Sequence, residues 1–123
     1  MNRLPVTLLS LLLMASSAPR PAQLLEVFPP EESTQTYVQY VAAALSFRLG
    51  EEADPTSVQL FVDGVDVTTQ SQIGNTRDWP ISHLEIGYTP NFSETGTHRA
   101  EVRFRTLDGK TNSYSWSFSI KSP

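Results

Sequence analysis

His83 and His98 are the only histidines in the chain, and a zinc centre asks for three or four ligands at workable spacing. There is no cysteine, which excludes thiolate metal ligation, cysteine nucleophiles and disulfide staples. His98 follows Gly96-Thr97 and falls on the inward face of a strand, where packing near a turn accounts for it. Serines are plentiful, yet none stands in the Gly-x-Ser-x-Gly elbow that presents a hydrolase nucleophile. Glu51, Glu52, Asp54, Asp63 and Asp66 could approach one another at loop ends, and calcium takes oxygen ligands from such loops. Their spacing matches no regular cage, however. Asp63 is explained by a turn, and Glu51 to Asp54 by a solvated loop. Nothing places two carboxylates ~5 or ~9 Å apart, as glycoside cleavage needs. No catalytic residue, metal ligand or cofactor is expected.

Residues that could bind are easier to name. Arg99, Arg103 and Arg105 share the outer face of one strand, with Glu101 among them. With the serines of 115 to 119 they could form a polar platform, or simply a solvated sheet face that discourages edge pairing. Trp79 stands in a loop beside Pro80. A loop aromatic can stack on a sugar or anchor a partner, and Tyr37, Tyr40 and Phe92 could join it. Equally, Trp79 could cap the end of a core. Asn91-Phe92-Ser93 is a glycosylation sequon, meaningful only in a eukaryotic secretory route.

The elements that must carry these residues fit in one small domain. The chain has 123 residues and a net charge of -4. Mild acidity is a poor match for nucleic acid, which rewards clustered Lys and Arg. Residues 1–18 read as a secretory signal: Arg3, then an apolar run from Leu8 to Met14 broken only by Ser10, then Ala15-Ser16-Ser17-Ala18. Cleavage falls between 17 and 22, Ala15-Ser16-Ser17 fitting best. The apolar run is shorter than the ~20 residues a bilayer span needs, so no membrane span remains after cleavage. An exported protein without cysteine depends on its core rather than on staples.

Residues 19–23 form a flexible lead-in, and 24–121 the folded domain. Leu24 to Phe28 is an edge or first strand, stopped by Pro29-Pro30, and Glu31 to Thr36 is loop. Tyr37 to Leu49 is compatible with a helical stripe, but Val41, Ala43, Leu45, Phe47 and Leu49 alternate cleanly, and a strand is expected. Ser57 to Val62, the Asp63-Gly64 turn and Val65 to Val67 make a hairpin. Thr68 to Asp78 has no apolar period and reads as loop, with Gly74-Asn75 as a turn. His83 to Tyr88, Thr97 to Thr106 and Ser113 to Ile120 alternate as strands wet on one face. Asp108-Gly109 joins the last two. Six or seven short strands and no helix predict an all-β sandwich. Its core should hold Leu45, Phe47, Leu60, Val62, Ile86, Val102, Phe104, Trp116 and Phe118.

The stretch from Ser57 to Thr68 resembles the central hairpin of bacterial immunoglobulin-like domains. So do Tyr88-Thr89-Pro90 with Gly96 to Val102, and the ending from Leu107 to Ile120. The resemblance covers about residues 57 to 120. It implies an immunoglobulin-like β-sandwich of about seven antiparallel strands and an exported location, with no catalytic residue to carry over. The expected function is a non-enzymatic binding module, periplasmic or extracellular, whose partner is an envelope protein or a surface polysaccharide. A carbohydrate-binding module is the alternative, and a small hydrolase or metal-dependent enzyme a lesser one. Trp79, Arg99, Arg103 and Arg105 are the residues expected to touch a ligand.

Overall fold

A computed structural model describes residues 19–48, 53–78, 81–90 and 94–123. Residues 1–18, expected to be a secretory signal, lie outside them, as do Leu49 to Glu52, Trp79, Pro80 and Asn91 to Ser93.

Among the described residues nine strands form two sheets. They are β1 (Leu24–Phe28), β2 (Thr34–Gln35), β3 (Val41–Arg48), β4 (Gln59–Val62), β5 (Val65–Asp66), β6 (Gln72–Asp78), β7 (Ile81–Tyr88), β8 (Gly96–Arg105) and β9 (Thr111–Ile120). One sheet has the order β1-β3-β7-β6, the other β2-β9-β8-β4-β5. The all-β sandwich expected from the alternating segments is what the chain forms.

Alternation dictates which residues meet between the sheets. Val41, Ala43, Leu45 and Phe47 of β3 face Leu84 and Ile86 of the same sheet. From the other sheet come Leu60 and Val62, then Ala100, Val102 and Phe104, then Tyr114, Trp116, Phe118 and Ile120. All nine residues expected in the core are buried. Phe47 and Phe104 meet edge to face across the two sheets, with centroids 5.8 Å apart, a favoured aromatic geometry.

Two segments depart from the sequence reading. Glu31 to Thr36 contains β2, which runs parallel to β9, Thr34 opposite Ser119 and Gln35 opposite Ile120. The strands are therefore not all antiparallel. Pro29-Pro30 cannot continue a ladder, and there the chain leaves one sheet and crosses to the edge of the other. Thr68 to Asp78 is not loop: a 3-10 turn at Thr68–Gln70 leads into β6, which pairs with β7 over seven residues. Gly74-Asn75 lies inside this strand rather than in a turn. The segment lacks apolar alternation because it is an edge strand, exposed along Gln72 to Thr76.

Candidate functional site

The Asp63-Gly64 turn joins β4 to β5, with φ of 51° and 81°. Both central residues occupy the left-handed region, as the tight hairpin requires. Asp63 is fixed there by three bonds to β8. Its N–H donates to the Arg99 carbonyl at 2.7 Å. Its Oδ1 accepts the Arg99 N–H at 2.9 Å. Its Oδ2 lies 2.7 Å from His98 Nδ1. His98 Nε2 lies 2.8 Å from the Glu94 carbonyl oxygen, and the ring stacks on Phe118 at 5.7 Å. The imidazole is only 8% exposed. Burial acts to lower its pKa, but the bonds to Asp63 and Glu94 and their negative charges outweigh it and hold it above the usual value. Beside it lies an open cavity of about 400 Å3, lined by Asp63, Val65, Val67, Tyr88 and Glu94.

Glu51 and Glu52 lie outside the described residues, and the other acidic candidates, Asp54 and Asp66, serve turns. Asp54 caps the 3-10 turn at Pro55–Ser57, accepting Thr56 Oγ1 at 2.6 Å and Thr56 N at 2.9 Å. Asp66 holds Thr68 in the same way, and Asp108 accepts from Thr106 Oγ1 and the Lys110 N–H. These hydrogen bonds, the threonine hydroxyl foremost, lower all three carboxyl pKa values. Asp54 sits at the Arg105 end of β8 and Asp63 at the Arg99 end, so these two carboxylates do not converge. Among the described residues no three His, Asp or Glu side chains form a metal-holding group.

The arginine face is divided. Arg103 forks onto Glu101 at 2.9 and 3.3 Å and covers the Phe61 ring at 4.3 Å. Arg105 reaches Asp54 at 3.5 Å. Only Arg99 of the three keeps a guanidinium without a partner among the described residues. Trp79 lies outside the described residues, as does Phe92. Tyr37 and Tyr40 are exposed. The sequence reading placed His98 inward but missed its pairing with Asp63. The signal available was an inward histidine at a strand start and an Asp-Gly turn. Joining them requires knowing that β4 and β8 are neighbours.

No family model matches the chain, and no curated protein matches it. Solved structures do. CopC from Methylosinus trichosporium OB3b is similar over 80% of this chain and 92% of that one, at 15% identity and a TM-score of 0.53. PcoC, a copper resistance protein from Escherichia coli, aligns over 84% of this chain and all of that one, at 14% identity and a TM-score of 0.47. The likeness to CopC establishes a shared β-sandwich fold. The resemblance to bacterial immunoglobulin-like domains therefore holds at the level of the sandwich, and that family itself is unmatched. With the sandwich shared with CopC and no immunoglobulin-like family matched, the expectation of a generic immunoglobulin-like binding module is withdrawn, and with it the carbohydrate-binding alternative and the envelope polysaccharide partner. The exported location, periplasmic or extracellular, stands. No helix among the described residues is long and apolar enough to cross a membrane.

Proposed function

We propose that the chain is an exported, non-enzymatic copper-binding protein that takes its metal as Cu(II). The observation that carries this is the Asp63–His98 pair beside its cavity. A metal-ligating histidine usually donates its other ring N–H to a carboxylate, which fixes the ring and raises its basicity. Asp63 holds His98 Nδ1 in that way, and Nε2 is the atom left to ligate, in exchange for its contact with the Glu94 carbonyl.

Donor chemistry selects the oxidation state. The only methionines are Met1 and Met14, both in the signal segment, and there is no cysteine. Cu(I) favours soft sulfur ligands, whereas imidazole and oxygen suit Cu(II). The described side chains supply a partial set, so the remaining positions fall to backbone oxygen and solvent, and binding is expected to be modest. Protons compete with the metal for a histidine whose pKa is raised, so copper should be held more tightly at ~pH 8 than at ~pH 5.

Equilibrium dialysis of the chain from Ala18 against Cu(II), with electron paramagnetic resonance of the loaded protein, tests the reading. One copper per chain with an imidazole nitrogen signature is expected. His98→Ala should abolish it and His83→Ala should leave it. Absence of bound copper in the unsubstituted protein would sink the proposal, and full retention by His98→Ala would remove this site.

A further inference from the structure

Twice among the described residues the chain seats an arginine between an aromatic ring and a carboxylate. Arg103 covers Phe61 while forking onto Glu101. Arg20 lies over Tyr114 at 5.3 Å, and its guanidinium is 3.8 Å from Glu31, which in turn accepts the Tyr114 hydroxyl. Guanidinium groups suit both partners at once, stacking on a ring face and bonding a carboxylate in plane.

A third constellation of this kind has no arginine. On the outer face of the four-stranded sheet, register aligns Glu26 of β1, Ala44 of β3 and Glu85 of β7 in one row. The adjacent row is Phe28, Ala42 and Gly87. Neighbouring strands are ~4.8 Å apart, so the two glutamates flank an alanine floor with backbones ~10 Å from each other. The Phe28 ring meets Tyr40 at 5.1 Å, forming an aromatic wall at one end. The groove so enclosed has a volume of about 640 Å3. Neither Glu26 nor Glu85 has an ion pair or side-chain hydrogen bond among the described residues, and no described Lys or Arg lines the groove.

We infer that this groove receives an arginine side chain presented by an extended segment of a partner protein. The small floor admits the guanidinium between the two carboxylates, and Phe28 and Tyr40 offer faces for it to stack on. Charge complementarity selects a cation, and the aromatic wall selects guanidinium over ammonium. The inference goes beyond the copper reading and does not depend on it, since the groove shares no residue with the His98 cavity.

The test uses the exported chain and a capped Thr-Arg-Thr peptide, followed by calorimetry and by amide chemical-shift mapping. Versions with lysine or citrulline in place of arginine serve as comparisons. Citrulline keeps the shape and loses the charge, and should bind at least about tenfold more weakly, the worth of a charge-assisted hydrogen bond. Glu26→Gln and Glu85→Gln should each weaken the arginine peptide by about three- to tenfold. Ala44→Leu should abolish binding by filling the floor with no charge removed. Raising the salt should weaken the complex, as screening of exposed charges demands. The inference is overturned if the arginine peptide does not bind, if citrulline binds equally, or if the shifts map elsewhere. It is also overturned if Glu85→Gln and Arg99→Gln each abolish a self-association of the free chain, which would make a second copy the occupant.

Discussion

Trp116→Ala is expected to cost ~3–5 kcal/mol of folding stability, read as a lower urea midpoint with an unchanged slope. Trp116 is 2% exposed and sits at the centre of β9, opposite Ala100 of β8. The small alanine leaves room for the indole, which also stacks on Tyr114 with centroids 6.4 Å apart. Truncation would open a cavity that two hydrogen-bonded sheets cannot close. The indole Nε1 is buried without a hydrogen-bond partner among the described residues. Trp116→Phe therefore gives up volume but no hydrogen bond, and should cost clearly less than Trp116→Ala because the residual cavity is smaller. Ser115→Ala, one residue away on the wet face, should stay within about 0.5 kcal/mol. A one-residue slip of β9 would reverse these results, because register parity sends neighbouring side chains to opposite faces. An unchanged midpoint for Trp116→Ala would refute the register.

What the sequence made legible was what period two encodes. In β8 and β9 every second residue from His98 to Phe104 and from Tyr114 to Ile120 is buried, and strand and facing follow from the alternation. In β3 the same rule separated Val41, Ala43, Leu45 and Phe47 from a competing helical stripe. It failed at β6, where an edge strand with exposed side chains carries no such signal, and at β2, which is two residues of polar backbone paired to β9. Those failures had a consequence for the sites. Without β6 and the β1-β3-β7 order, Glu26 and Glu85 are 59 residues apart with nothing to join them. The arginine face was visible from parity, but not that Glu101, Phe61 and Asp54 occupy Arg103 and Arg105. Function was the least legible. The sandwich the chain shares with CopC was detected through shape at 15% identity, a level at which side-chain pattern has drifted while layer geometry persists.

Asp63→Ala should be the most damaging change outside the core, at ~2 kcal/mol or more at pH 6. Three losses coincide. Alanine removes the acceptor for the Arg99 N–H and for His98 Nδ1. It also places a Cβ without a local hydrogen-bonding group at φ 51°, a conformation that Asp and Asn tolerate better than other residues. Asp63→Asn separates these effects, since its amide keeps the turn and can still accept from Arg99 while the charge on His98's partner is gone. The gap between wild type and Asp63→Asn then reports the ionised pair, and its pH dependence has a fixed sign. His98 has a folded pKa above its unfolded value of about 6.5. Stability from the pair is therefore fully present below about 6.5 and is lost as pH rises through the folded value. Urea midpoints of the two proteins should lie furthest apart below about pH 6.5 and converge as pH rises through the folded value. A gap that widened towards alkaline pH would mean that His98 is neutral in the folded protein. The hydrogen bonds at both ring nitrogens would then need reassigning.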